Sequence, residues 1–272
     1  MTDQVGSSVT AVLASALDAD YEAIHGLTVA GMGALLMRRY MHEYGVAVED
    51  FANFSVNAHA NGADNPLAMY RNRLKAERFG SAPPIATPVS LFDAAPSGDG
   101  AAAVIITSHE RAMDMVPQPV RIAGSALATD TLSLNKRKNM LHLRAAKLSA
   151  QKAMQAAGVT QDDIDLFELH DSFTVMAALS LEAAGFALPG EGWQLARDEE
   201  IGRDGRIPIS TFGGLKARGN PGGATGMYQI VEVARQLRGQ AGENQIADAK
   251  IGMAQNLGGS GATAVTHILS NR

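Results

Sequence analysis

The chain has 272 residues, of which 46% are hydrophobic and 19% charged, as is ordinary for a globular protein with a large core. Its net charge is −5 with both signs well mixed, which argues against a nucleic-acid surface. The absence of cysteine excludes disulfides, thiolate metal sites and a cysteine nucleophile from these residues. The seven histidines lack metal-ligand spacing, no apolar run approaches the roughly 18 residues of a membrane span, and the N-terminus has no secretory pattern. We therefore expect a cytoplasmic protein without a metal.

The first part of the chain combines helical patterns with proline-rich and apolar segments. Residues 1–20 show little periodicity and predict loop or an edge segment. Helical spacing predicts one helix over 31–45 and another over 48–60, which the sequence NGADNP ends. Prolines keep much of 62–100 extended. The apolar run DGAAAVIITS at 99–108 predicts a strand that is buried on both faces.

The rest of the chain alternates strands with helices. The predicted order is strand 119–130, helix 140–158, strand 165–169, helix 173–185, a glycine-rich loop, helix 227–242, and a strand–turn–strand unit at 250–269. This alternation predicts an α/β layer with a mixed or largely parallel sheet. Loops that collect at the ends of such strands usually carry the functional site.

Three polar loops lie at such positions. They are ELHDSF at 168–173, GGLKARGNPGGATG at 213–226 and AQNLGGSGA at 254–262. Taken singly, each loop has an ordinary interpretation. His170 would be a surface or core histidine whose ring nitrogens are hydrogen-bonded, the glycine-rich loop would be a tight turn, and Asn256 would be a turn residue. Three of them in one α/β domain favour a functional site.

In this order and spacing the loops resemble the C-terminal half of the thiolase superfamily, in its sterol-carrier-protein-type and archaeal acetyl-CoA acetyltransferase-like branch. HDSF resembles HDCF, GGLKARGNPGGATG resembles GGLKARGHPxGATG, and NLGGSGATAVTHIL resembles the terminal glycine turn and last strand. GLTVAGMGALLMRRYMHEYG and LFDAAPSGDGAAAVIITS also resemble this branch. The resemblance implies an α/β, thiolase-like fold, with a complete C-terminal βαβαβ half at 119–272. Residues 1–118 would form the later part of the N-terminal half, with a loop insertion.

The resemblance also implies an acetyl-CoA C-acyltransferase activity on a coenzyme A thioester, with no covalently bound cofactor. In the family, a cysteine takes the acyl group, the GHP histidine activates it, and a second cysteine moves the α-proton. The HDCF loop helps to stabilise the oxyanion. The implied catalytic residues here are His170, Asn220 and Asn256. The implied substrate-binding residues are Ser172, Phe173, Gly213, Gly214, Gly258 and Gly259.

The sequence departs from that pattern at four points. By this resemblance Met1 aligns with an internal position of the family, and we expect the part that bears the nucleophile to be absent from this chain. Asn220 stands at the GHP histidine and Asn256 near the second cysteine, and an amide cannot act as a general base near neutral pH. Ser172 replaces the cysteine of HDCF. His170 alone can titrate near neutral pH, and Asn220 has the alternative role of capping its own turn.

Missing strands would expose a hydrogen-bonding edge and an apolar face. We therefore expect an obligate partner: a second copy in a homo-oligomer, a separate N-terminal thiolase chain, or both. Three functions stay open. The first is an acyl-CoA acyltransferase whose cysteine comes from another chain. The second is a thiolase-like retro-aldolase of the steroid side-chain type, beside a zinc-ribbon, OB-fold acyl-CoA-binding protein. The third is a non-catalytic CoA-binding subunit of a thiolase complex.

Overall fold

The computed structural model describes residues 9–272. Its helices are α1 (Val9–Ala14), α2 (Val29–Tyr44), α3 (Ala52–Asp64), α4 (His109–Met115), α5 (Arg144–Ala157), α6 (Thr174–Ala184), α7 (Gly192–Arg197) and α8 (Thr225–Leu237). Its strands are β1 (Pro84–Ala86), β2 (Val89–Ser90), β3 (Arg121–Thr129), β4 (Leu166–Glu168), β5 (Ile251–Gly258) and β6 (Thr263–Ser270).

The central sheet has the strand order β3-β6-β5-β4. Strands β4 and β5 are parallel, whereas β5–β6 and β6–β3 are antiparallel. The sheet is therefore mixed, as the alternation of strands and helices predicts. Strands β1 and β2 form a small separate pair.

Helices cover both faces of the central sheet. Helix α5 packs on β3 and β6, while α8 packs on β4 and β5. Side chains of a strand alternate between the two faces. Accordingly Phe167 and Ile268 belong to the large core, whereas their neighbours Leu166 and Leu269 belong to a smaller core with residues of α8.

Helix α6 lies at the centre of the molecule. Its residues are buried on every side, which is typical of a helix enclosed by other elements. It packs against α5 and also against α2, α3 and α7. The N-terminal helices and the sheet therefore share one core, and α6 starts directly after the loop 168–173.

Most predicted elements are confirmed. Helices α2, α5 and α6 end where the sequence indicates, with Gly45, Gly158 and Gly185 in the left-handed conformation. Strands β3, β4, β5 and β6 and helix α8 are also present. The helix predicted to end at residue 60 starts with a short 3₁₀ turn and runs on to Asp64.

Two predictions are wrong. Residues 99–107 form no strand, and no strand of the described chain pairs with them. The side chains of Ile105 and Ile106 are 85% and 73% exposed. An apolar run becomes a buried strand only where neighbouring strands bond its backbone and a core covers its side chains. Helix α1 occupies part of the segment predicted as loop, of which residues 1–8 lie outside the described residues.

The strands of the central sheet all lie after residue 120. The division into parts 1–118 and 119–272 stays a prediction. Among the described residues, no helix combines the length and apolar character that crossing a membrane requires.

Candidate active site

Two of the predicted site residues meet at one edge of the sheet. His170 follows β4, and Asn256 lies near the end of β5. Because β4 and β5 are parallel and Glu168 is in register with Ala254, the two side chains emerge side by side. The Asn256 Nδ2 atom lies 3.2 Å from His170 Nδ1. The structure thus joins two polar groups that are 86 positions apart in sequence.

A third polar side chain, Gln229 of α8, supports this pair. Its Nε2 donates hydrogen bonds to the main-chain oxygens of Leu169, at 2.8 Å, and Gln255, at 3.0 Å. Its Oε1 lies 3.3 Å from Asn256 Nδ2. The sequence analysis missed Gln229. In the sequence it appears only as a glutamine in the amphipathic helix that follows the glycine-rich loop.

The environment of His170 disfavours the charged imidazolium. Burial lowers the pKa of His170 to about 4, and the nearby positive charge of Arg218 adds to this effect. The imidazole is therefore neutral near pH 7. Asn256 is uncharged at any pH, so both groups act through hydrogen bonds.

Asn220 closes its own loop. Its Oδ1 accepts hydrogen bonds from Gly222 N at 3.1 Å and from Thr225 Oγ1 at 2.8 Å. Its main chain bonds to Pro96 and Gly98. These contacts are those of the turn-capping alternative, and a catalytic role for Asn220 stays a prediction.

The glycine-rich loop nevertheless reaches the pair through its last residue. A Cβ added at Gly226 would lie 3.3 Å from Cγ of Asn256, closer than most real Cβ contacts. Gly226 therefore leaves the space in which the Asn256 side chain lies, one turn before Gln229 on the same helix.

The first glycines of the loop serve close packing. Gly213 and Gly214 have φ values of 101° and 53°. A Cβ at Gly213 would lie 2.9 Å from Cα of Gly62, and one at Gly214 would lie 2.2 Å from Asp171 Oδ2. Both positions require glycine for conformation and for space. Their predicted contact with substrate stays a prediction.

The remaining predicted residues lie around the pair. The main-chain oxygen of Ser172 accepts a hydrogen bond from Ala95 N, and the buried Phe173 ring fills the space that Gly33 leaves open. Gly258 and Gly259 lie at the turn between β5 and β6. Their roles in binding substrate stay predictions.

A buried charge cluster ties three loops together below the site. Lys216 Nζ donates to the main-chain oxygen of Asp93, and Asp171 accepts from Leu215 N at 2.8 Å and Ser210 Oγ at 3.1 Å. Burial lowers the pKa of Lys216 to about 8, while Asp171 opposes that shift. Burial likewise raises the pKa of Asp171. The cluster holds HDSF against the glycine-rich loop.

A second buried cluster lies beside it. Arg218 Nε lies 2.9 Å from Glu232 Oε1, and the guanidinium carbon lies 4.4 Å above the Tyr228 ring. Burial raises the pKa of Glu232 well above its usual range, and it also raises the pKa of Glu168. The cluster fixes Arg218, the cation that opposes protonation of His170.

The donor groups of this site suit an anionic oxygen. Within residues 9–272, no three histidine, aspartate or glutamate side chains are grouped to hold a metal ion. His170 and Asn256 are both partly exposed, so the neutral imidazole and its amide partner lie at the surface of the site. A preorganised neutral donor such as the imidazole N–H stabilises negative charge that develops on a carbonyl oxygen.

A family model described as "Thiolase C-terminal domain-like" matches residues 126–271. The acetyl-CoA acetyltransferase of Methanothermobacter thermautotrophicus is 41% identical over 270 residues, which cover 99% of this chain and 70% of that protein. The chain belongs to the thiolase family. Sterol carrier protein 2 of Rattus norvegicus is 31% identical over 84% of this chain and 43% of its own length.

Solved structures agree with this assignment. An Ltp2-ChsH2(DUF35) aldolase superposes with a TM-score of 0.82 and 27% identity, over 97% of this chain and 68% of that chain. The predicted thiolase membership and the predicted thiolase-like α/β fold are therefore confirmed.

Proposed function

We propose that a ring N–H of His170, in an orientation held by Asn256, binds the thioester oxygen of an acyl-CoA. In this role the imidazole stabilises the charge that the oxygen acquires when the adjacent carbon–carbon bond forms or breaks. The observation that carries the proposal is the 3.2 Å contact between the two side chains at the ends of parallel strands. Neither group needs to change its protonation state, because hydrogen-bond donation alone supplies the stabilisation.

The proposed reaction is acyl transfer of the thiolase type. In the direction of thiolysis, a thiolate attacks the β-keto carbon of a 3-oxoacyl-CoA, and the bond between Cα and Cβ breaks. The bonding electrons pass to the departing thioester, which becomes an enolate. Its oxygen receives the hydrogen bond of the His170 ring N–H until a proton returns to Cα.

A protein thiolate must come from outside these residues, because they contain no cysteine. Exposed apolar side chains support such a partner. They follow one another closely in sequence before β3, as Ile105, Ile106, Met113 and Met115. The partner that we propose is a cysteine-bearing N-terminal thiolase chain, alone or within a homo-oligomer.

A second candidate is retro-aldol cleavage of a 3-hydroxyacyl-CoA. A base removes the hydroxyl proton, the Cα–Cβ bond breaks, and the products are a carbonyl compound and the same thioester enolate. This route needs no thiolate. Two observations favour this route. The 272 residues contain no cysteine, and 97% of them superpose on the Ltp2-ChsH2(DUF35) aldolase. The partner would then be an OB-fold, acyl-CoA-binding protein.

Calorimetry with acetoacetyl-CoA tests the proposed site. We expect the chain to bind this thioester and His170→Ala to weaken binding by about tenfold, the loss of one good hydrogen bond. Lys152→Ala, at an exposed position of α5, is the matched control and should bind as the wild type does. Equal affinity of all three proteins would contradict the proposal.

Activity assays separate the candidate reactions. The chain alone should give no thiolysis of acetoacetyl-CoA, and turnover by it alone would exclude a cysteine supplied in trans. Activity with a cysteine-bearing N-terminal half supports acyl transfer. Cleavage of a 3-hydroxyacyl-CoA beside an acyl-CoA-binding partner supports the aldolase. If Asn220→His with the supplied half still gives no turnover, a non-catalytic subunit is favoured.

A further inference from the structure

Gln229 is buried, and its orientation is fixed by two main-chain groups. Its side chain is only 1% exposed, and Nε2 lies within hydrogen-bond distance of the carbonyl oxygens of Leu169 and Gln255. Carbonyl oxygens only accept hydrogen bonds, so the NH₂ group of Gln229 must face them. The two acceptors belong to different strand ends and together settle which way the amide points.

This orientation determines that of the next amide. With its NH₂ group engaged, Gln229 presents Oε1 to Asn256 at 3.3 Å. An oxygen acceptor requires a donor, so Asn256 must turn its Nδ2 toward Gln229. The same Nδ2 lies 3.2 Å from His170 Nδ1. An NH₂ group carries two hydrogens, one for each of these neighbours.

The orientation of Asn256 in turn determines the tautomer of His170. An amide nitrogen cannot accept a hydrogen bond, so His170 Nδ1 must carry a lone pair and the ring proton must lie on Nε2. Burial and the charge of Arg218 keep the ring neutral near pH 7, so it holds a single proton.

We propose that Gln229 is a positioning residue that, through Asn256, holds His170 as the Nε2–H tautomer. The use of that N–H by a thioester oxygen rests on the proposed function, whereas the tautomer does not. The opposite tautomer would place a lone pair at Nε2, which would repel an enolate oxygen. The hydrogen-bonded series Gln229–Asn256–His170 thus decides whether the site attracts or repels negative charge.

Nitrogen NMR of protein labelled with ¹⁵N-histidine tests the tautomer directly. The His170 resonances are assigned by their loss in His170→Asn. In the wild type near neutral pH we expect a protonated Nε2 and an unprotonated Nδ1. A protonated Nδ1, or a pair of averaged nitrogens, would overturn the proposal without any variant.

Two variants of Gln229 separate positioning from a merely structural role. Gln229→Met and Gln229→Glu both lose the NH₂ group that bonds Leu169 and Gln255. Only Glu keeps an oxygen acceptor for Asn256. We expect mixed tautomers in Gln229→Met and the wild-type tautomer in Gln229→Glu. Identical spectra of the two variants would show that the acceptor does not matter, which contradicts the proposal.

Asn256→Asp provides a further test should Gln229→Met fail to fold. Its carboxylate accepts a hydrogen bond, so we expect the proton of His170 to move to Nδ1; an unchanged tautomer would overturn the proposal. Acetoacetyl-CoA affinity is measured separately on the same proteins, with about twofold weaker binding expected for Gln229→Met if its two tautomers are equally populated. The wild-type tautomer without any thioester binding would refute the proposed function and leave this inference intact.

Discussion

The low pKa of His170, about 4, links the candidate site to the stability of the fold. In the unfolded chain a histidine has a pKa of about 6.5. As the pH falls below about 6.5, the unfolded chain takes up a proton that the folded protein does not bind. Stability is therefore lost as the pH falls from about 6.5 toward about 4.

His170→Asn should reduce this loss. From the two pKa values, His170 destabilises the fold by about 2 kcal/mol at pH 5 relative to pH 7.5. The variant should lose about that much less free energy of unfolding between these pH values, as measured by urea denaturation. His142→Asn, at an exposed position, should behave as the wild type does. The same loss in His170→Asn would show that the imidazole titrates normally.

Lys216→Met tests the charge cluster below the site. The substitution leaves the Asp93 main-chain oxygen without its buried donor and weakens the electrostatic stabilisation of the Asp171 carboxylate, which together cost about 1–3 kcal/mol of unfolding free energy. Adding Asp171→Asn should recover part of this loss. Chemical denaturation measures both, and the exposed Lys152→Met is the control. A loss below about 1 kcal/mol would contradict the cluster's structural role.

The sequence identified His170 and Asn256 because each lies in a polar loop at the end of a predicted strand and because these loops resemble thiolase motifs. It did not identify Gln229 or Lys216. Their roles depend on which carbonyl and carboxylate groups the fold brings next to them, and neither residue stands out in a one-dimensional pattern. Asn220 shows the converse. Its motif position predicts chemistry, whereas its oxygen is engaged within its own turn.

At the scale of elements, the close approach of α5 to β3 is the most constrained contact of the sheet. A Cβ added at Gly124 of β3 would lie 2.0 Å from the main-chain oxygen of Ala153 in α5. Main-chain atoms cannot rotate away as a side chain can. A methyl group here must therefore displace the helix or the strand.

Gly124→Ala should destabilise the protein by about 1–3 kcal/mol or more, the cost of overpacking a tight core. Gly223→Ala is the matched control, because it lies in an exposed turn with nothing within 4 Å of the added Cβ. Thermal and urea unfolding of both variants give the comparison. Equal stability of Gly124→Ala and Gly223→Ala would show that α5 and β3 leave room for a methyl group at position 124.

Elements with a clear periodicity were predictable from sequence. The helix predicted at 173–185 is α6, and its burial on every side explains why its sequence is mostly apolar. The segment 99–108 shows what a local sequence pattern cannot predict. Its apolar run satisfies the pattern of a buried strand, but strand formation depends on neighbours that a local pattern does not contain.

At the scale of the whole molecule, the exposed isoleucines of this segment predict association. Sedimentation velocity should show the wild type associating as its concentration rises, because apolar surface is removed from water. Ile105→Ser with Ile106→Ser should reduce that association. Ile24→Ser with Leu188→Ser, which replaces equally exposed residues elsewhere, should not. Equal association of both double variants would show that the segment is no interface.

The central claim is that His170, in an orientation held by Asn256, polarises a thioester carbonyl. Infrared difference spectroscopy of acetoacetyl-CoA with ¹³C at the thioester carbonyl measures this polarisation in the bound state. We expect the carbonyl band to move to lower frequency in the wild type, and we expect His170→Asn to reduce this shift. A carbonyl band at the same frequency as in water without protein, or no bound thioester at all, would contradict it.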